Sequence, residues 1–191
     1  GTITLTQNIT AGAGTVTLNP SAGGVSQSAG GVTAANLELT GVGTFNLNQA
    51  TNHLTGNLAA NVTGVLTYQD NAAITIGTAG ATSGISTGGN NFDLKAAGLI
   101  TQNNDITAGS GTVYLTSSGA GITQGAAKIT AQTLSMNAAG AINVNNTAND
   151  VTNVAAKTTV GGITYQDATA VTVSSVAASA SGNSPLTTGL D

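Results

Sequence analysis

Apolar and polar residues alternate along this chain in short runs, each broken by glycine, serine, asparagine or alanine, as in Val113-Tyr114-Leu115, Gly121-Ile122-Thr123 and Lys128-Ile129-Thr130. Alternation with a period of two predicts strands with one buried face, and the Gly-rich breaks predict sharp corners. Runs begin near Val16, Leu37, Leu58, Ile76, Leu94, Val113, Leu134, Val154 and Val173, in steps of 21, 21, 18, 18, 19, 21, 20 and 19 residues. A period near twenty that holds up to three short strands predicts an all-β, right-handed parallel β-helix. About ten coils of roughly 19–21 residues would each lay strands on three faces, with neighbouring coils about 4.8 Å apart. Inward positions then take Val, Ile and Leu, and outward positions take Thr, Ser and Asn. Glycine interrupts every window long enough for a stable helix. A β-sandwich is the competing architecture, but it favours Asn-Gly or Asp-Gly hairpin turns, and neither dipeptide occurs.

A longer repeat organises the same chain. Ile9-Thr10-Ala11-Gly12 with Gly14-Thr15-Val16 returns as Ile106-Thr107-Ala108-Gly109 with Gly111-Thr112-Val113, and Tyr68-Gln69-Asp70 returns as Tyr165-Gln166-Asp167, each at a separation of 97 residues. Asn52 returns as Asn149, and Ala59-Ala60 returns as Ala155-Ala156 at 96. The chain reads as one β-helical segment, 1–191, built from two copies of a unit at approximately 5–99 and 100–191.

Composition narrows the functional classes. Of 191 residues 5% are charged and 3% aromatic; there is no arginine and no cysteine, and Lys95, Lys128 and Lys157 are the whole cationic complement of a chain of net charge −4. Three scattered lysines make no basic patch, so nucleic acid is excluded as a partner. Low charge alone would fit disorder, but 40% of the residues are apolar and recur in alternating runs. No run approaches the roughly 20 apolar residues of a membrane span, and no charged-then-apolar leader opens the sequence, which leaves room for a signal in a longer parent. The lack of cysteine does not identify a compartment.

Chemistry is sparse. The single histidine, His53, stands where the second copy has Asp150, and reads as a corner residue. Glu38, Asp70, Asp93, Asp105, Asp150, Asp167 and Asp191 are spread out with no close pair, so the chain is expected not to be an enzyme and to need no cofactor. Asn90-Asn91-Phe92-Asp93 and Asn103-Asn104-Asp105 are the best calcium candidates, through Asp93 and Asp105, although turn formation is the simpler role. Tyr68, Gln69, Asp70, Tyr165, Gln166 and Asp167 form the most specific repeated words; they read either as a repeated surface motif or as a coil corner where Tyr lies on the rod and Asp caps the turn. Asn145, Asn146 and Asn149 suggest amide ladders between coils. Thr-x-Thr words such as Thr2-Ile3-Thr4 and Thr15-Val16-Thr17 do not recur in every coil, which places ice binding a distant third.

Gly121-Ile122-Thr123-Gln124, Lys128-Ile129-Thr130-Ala131-Gln132-Thr133-Leu134, Gly140-Ala141-Ile142-Asn143-Val144, Ala148-Asn149-Asp150-Val151 and Tyr165-Gln166-Asp167-Ala168 resemble the repeats of filamentous-haemagglutinin-like exoproteins of the two-partner secretion pathway. The resemblance covers the whole chain in style of repeat. It implies a long fibre outside the bacterial cell or on its surface, exported through an outer-membrane partner, that serves adhesion or biofilm formation. Nothing here matches that family's secretion domain, and there is no Arg-Gly-Asp, so the expected role is the shaft. Leu186-Thr187-Thr188-Gly189 followed by Leu190-Asp191 is similar to Ile85-Ser86-Thr87-Gly88 with Phe92-Asp93-Leu94 behind it, which suggests tandem continuation or head-to-tail self-association. The alternative is a carbohydrate- or surface-binding module with a cell-surface or glycan ligand, which a row of exposed aromatics would favour; the candidates are Phe45, Phe92, Tyr68, Tyr114 and Tyr165.

Overall fold

A computed structural model describes residues 1–191 and contains strands, turns and no helix. Eighteen strands join into one continuous parallel sheet that winds about an axis, a β-helix built as the alternation predicts. The first face carries the clearest ladder: Ile3, Val25, Phe45, Leu66, Phe92, Val113, Leu134, Val154 and Val173 stack in successive layers. The second face begins with a separate three-stranded sheet, Ile9–Thr10, Val32–Ala34 and His53–Leu54, and further along carries Ile74–Ile76, Ile100–Gln102, Ile122–Gln124, Ile142–Val144 and Ile163–Tyr165. The third runs through Thr15–Leu18, Asn36–Val42, Asn57–Thr63 and Ile85–Ser86 into the first halves of three long strands, Ile106–Ser117, Ile129–Ala138 and Asp150–Thr158.

Inward side chains fuse into a single cluster of 38 buried residues that reaches from Leu5 to Ala156. No coil could make this core alone, because a three-residue strand has only two inward positions; each layer is buried by its neighbours. Corners are tight enough that glycine is obligatory at several of them, Gly24 and Gly43 among them. Gly24 and Gly43 sit at φ +80 and +110, and a Cβ on Gly24 would lie 1.9 Å from the carbonyl oxygen of Thr44 in the next layer.

The first-face ladder advances by 22, 20, 21, 26, 21, 21, 20 and 19 residues, which makes eight turns rather than the ten the periodicity suggested. The long step holds an antiparallel hairpin, Thr78–Ala79 against Thr82–Ser83. The sequence spacing also joins two different ladders. Val16, Leu37, Leu58 and Ile76 are true neighbours, and so are Val113, Leu134, Val154 and Val173. Leu94, the apparent link between them, pairs with Tyr68 and Leu115 instead.

That jump follows from the geometry of the 97-residue repeat. Ile100 is the repeat partner of Ile3, yet it lies on the second face against Ile74 and Ile122. The ladder that starts at Ile3 instead reaches Val113, the repeat partner of Val16. One unit therefore spans four turns plus one face, and the second copy is rotated about the axis relative to the first.

Phe92 is fully buried at the centre of the first-face ladder. Phe92→Ala is expected to cost about 3–5 kcal/mol by leaving a cavity that the stacked layers cannot collapse, measured by urea denaturation followed by circular dichroism.

Candidate functional site

The repeated words fold into a buried polar corner. Tyr68 is an inward residue with no exposed surface, and its hydroxyl donates to Asp70 Oδ2 at 2.9 Å. Asp70, 1% exposed, also accepts the N–H groups of Leu54 at 3.0 Å and of Ala72 at 3.0 Å, so it ties one coil to the next while it closes its own turn. Burial pushes its carboxyl above the ordinary range, against the lowering effect of those bonds, and burial beside Asp70 pushes the Tyr68 phenol up. The second copy repeats the arrangement: Tyr165 donates to Asp167 at 2.5 Å, and Asp167 accepts from Val151 at 3.1 Å and from Thr169 at 3.0 Å. The surface reading of Tyr68 and Asp70 is thus corrected, because a ring with an apolar body and one polar tip fills the bore and spends its hydroxyl on the turn. Gln69 is partly buried; in the second copy Gln166 is exposed, while Tyr165 and Asp167 are half-buried.

Beneath each corner lies a pair of amides that sequence reasoning did not assemble. Gln27 Nε2 donates to Asn52 Oδ1 at 2.7 Å, and Asn52 Nδ2 donates back to Gln27 Oε1 at 3.1 Å, to the Leu47 carbonyl at 3.0 Å and to the Gln69 carbonyl at 3.1 Å. Gln124 and Asn149, both 97 residues further on, make the same reciprocal pair at 2.7 and 3.1 Å. Asn149 Nδ2 reaches the Gln166 carbonyl at 3.0 Å, and Gln124 Nε2 reaches Gln102 Oε1 at 3.1 Å, which extends the chain of amides by one layer. The amide ladder expected around Asn145, Asn146 and Asn149 is therefore a Gln-Asn staple. Asn146 instead caps the carbonyls of Ala126 and Ala127, at 2.7 and 2.9 Å. The signal available in the sequence was Gln27 returning as Gln124 at the repeat distance.

Other candidates are dispersed. His53 Nδ1 is 3.9 Å from Asp70 Oδ1 and has no hydrogen-bond partner. Asp105 caps the N–H of Lys128 at 2.9 Å in an exposed turn, away from Asp93, so the two calcium candidates share no site. No three His, Cys, Asp or Glu side chains come together as a metal cluster. On the second face single residues do align where the words had seemed irregular: Thr75, Thr101, Thr123, Asn143 and Thr164 form one outward column. Of the aromatics, Phe45, Phe92 and Tyr68 are fully buried, Tyr114 is 8% exposed and Tyr165 is half-buried, so no ring platform faces solvent.

What the sequence concealed is a pair of lateral hairpins. The first, Thr78–Ser83, leaves the coil at Gly77 and is closed at its base by a Gly84 N–H to Gly77 carbonyl bond of 2.8 Å. The second pairs Ser175–Val176 with Thr187–Thr188 and is closed by a Gly189 N–H to Ser174 carbonyl bond of 3.4 Å. Gly77 and Ser174 are 97 residues apart, so the hairpins are equivalent excursions; a two-residue tip in the first has grown to span 177–186 in the second. Beyond the second hairpin the coil resumes, with Leu190 bridging Ala156 in parallel and Thr158 donating to the Asp191 carbonyl at 2.8 Å.

Each hairpin folds back over earlier layers onto a carboxylate. Glu38 accepts from Thr82 Oγ1 at 2.8 Å, from the Ala81 N–H at 2.9 Å and from Thr17 Oγ1 at 2.9 Å. The longer hairpin reaches Asp93, which accepts from Ser181 and from Ser184 at 3.2 Å, while Ser184 and Thr116 hydroxyls meet at 2.7 Å and Ser135 donates to Thr187 at 3.1 Å. A small pocket opens at this tip, lined by Thr67, Asn91, Asp93, Tyr114, Ser179 and Ser181. Comparisons with protein-family models, with curated proteins and with solved structures give no match to this chain.

Asn52→Ala strands the Gln27 amide and the Val32 N–H inside the rod, and is expected to destabilise the fold by at least about 2 kcal/mol. Asn46→Ala, at an exposed position of a neighbouring strand, is expected to change stability by less than about 0.5 kcal/mol in the same urea titration.

Proposed function

We propose that this chain is a length of structural shaft from a bacterial secreted or cell-surface fibre, without catalytic chemistry of its own, that supports attachment or filament assembly. The observation that carries the reading is the eighteen-stranded parallel ladder around one continuous apolar core. Hydrogen bonds between layers run along the axis on three faces, so a load on the rod is shared by many backbone bonds at every layer. The resemblance to filamentous-haemagglutinin-like exoproteins supports the same role, with export through an outer-membrane partner and an extracellular location. The buried aromatics and the single small pocket support a shaft over a glycan-binding module, whose sugar rings ordinarily stack on exposed aromatic faces.

The shaft reading extends to association. Ile3–Leu5, Ile9–Thr10 and Thr15–Leu18 each pair on one side only, as does Ile163–Tyr165 at the opposite end. Open edges of this kind pair with further strands unless blocked. Head-to-tail stacking of copies, or continuation of the same ladder by further coils, would satisfy them.

Negative-stain electron microscopy of the purified chain tests the proposal. Rods about 40 Å long, and thin filaments in multiples of that length as concentration rises, are the expected outcome. Compact particles that do not elongate and that bind a defined oligosaccharide tightly on a glycan array would transfer the role to the lateral binding module.

A further inference from the structure

Of the seven carboxylates in the chain, Asp93 alone combines deep burial, an adjoining cavity and no cationic partner within salt-bridge distance. It stands outward on the first-face ladder, between Thr67 in the layer below and Tyr114 in the layer above, and is 3% exposed. Both of its oxygens accept hydroxyl hydrogens from the long hairpin, Oδ2 from Ser181 and Oδ1 from Ser184 at 3.2 Å. Burial raises its carboxyl above the usual 3.8, while the hydroxyls pull the other way by bonding the ionised form. The one charge pair within 4 Å in the molecule is His53 with Asp70, so the charge of Asp93 has no neutralising contact. A buried charge left in that state costs several kcal/mol.

The single cavity of the molecule, about 50 Å³, opens against this carboxylate. A water occupies roughly 10–15 Å³ of such space, so an ion with a water or two fits. Oxygen-bearing side chains line it: Thr67, Asn91 and Tyr114 from three successive layers of the rod, and Ser179 and Ser181 from the hairpin. Glu38, under the short hairpin, makes the contrast. It accepts from Thr17, Thr82 and Ala81 in the same manner, but no cavity adjoins it. At Asp93 no histidine or cysteine is at hand, which disfavours the softer transition metals. One carboxylate among neutral oxygens suits calcium, which tolerates irregular oxygen shells, better than magnesium, which demands a near-ideal octahedron.

We propose that this cavity is a calcium site in which Asp93 supplies the charge and Thr67, Asn91, Ser179 and Ser181 supply neutral oxygens, directly or through water. Calcium there fastens the tip of the long hairpin to the shaft, because the two serines belong to the hairpin and the other three residues to the rod. The hairpin has little apolar hold of its own, since Val176 with Tyr114 and Ala155 is its one buried hydrophobic cluster. An element held so lightly opens as a local unit well below the cost of global unfolding. With one carboxylate the site is weak, with a dissociation constant of about 0.1–1 mM, the range of extracellular calcium modules. The inference needs only the fold and stands independently of the shaft reading.

Tyr114 lines the cavity, so terbium, a calcium stand-in, reports the site by luminescence excited through the phenol. Terbium emission that calcium displaces at about 0.1–1 mM is expected for the whole chain, and emission at least about tenfold weaker for Asp93→Asn. Asp105→Asn, at an exposed turn, should leave the signal unchanged. Hydrogen–deuterium exchange supplies the second readout: about 5 mM calcium should raise protection of 175–188 at least about threefold relative to the core strand Ile129–Ala138. Absence of displaceable emission, emission that survives Asp93→Asn, or hairpin protection that ignores calcium would overturn the proposal. The exchange measurement on the wild-type chain decides it even if Asp93→Asn fails to fold.

Discussion

No strand of the coils has a hydrogen-bonding partner within its own coil, and that constraint governs the rest. A three-residue strand has no partner within its coil, so its N–H and C=O groups must be met by the layers above and below. Register between layers is therefore fixed along the whole length, and every side-chain position inherits a column. The core, the glycine corners and the amide staples are all consequences of columns. At Gly24 the Thr44 carbonyl comes so close that no side chain fits between layers. At Asn52 one amide satisfies groups in three successive coils, since Gln27, Leu47 and Gln69 lie on three consecutive first-face strands.

The buried amides mark the limit of a purely apolar design. A two-residue slip would keep Val, Ile and Leu on the inward face, whereas a reciprocal Gln-Asn pair is satisfied in one register only. Placing one such pair in each repeat, with a Tyr-Asp corner above it, gives the stack fixed points against slippage. The cost of leaving a buried amide unpaired is what makes those points specific.

Much of this was legible in the sequence. Alternation identified inward residues such as Leu37, Leu58 and Val154, which are fully buried, and the repeated words identified positions that do fold alike. Three features were hidden, each for a physical reason. The number of turns was misread because residues that look periodic, Ile76 and Leu94, lie on different columns once the repeat precesses by a face. The staples were missed because polar partners 25 residues apart carry no local signature. The hairpins were missed because Thr-Ala-Gly-Ala-Thr-Ser reads as an ordinary corner; only the stacked structure shows that it leaves the coil and returns.

The rotation between copies bears on how such a rod meets the world. A solenoid whose repeat closed after whole turns would show the same motif along one side, like teeth on a comb. Here the unit ends one face late, so identical words point in different compass directions, and about three successive units would carry a motif once around the circumference. The two hairpins already obey this: they leave the rod at different azimuths although they occupy the same place in the repeat. A rod built this way has no privileged side: any feature that recurs with the unit winds around the axis like the thread of a screw.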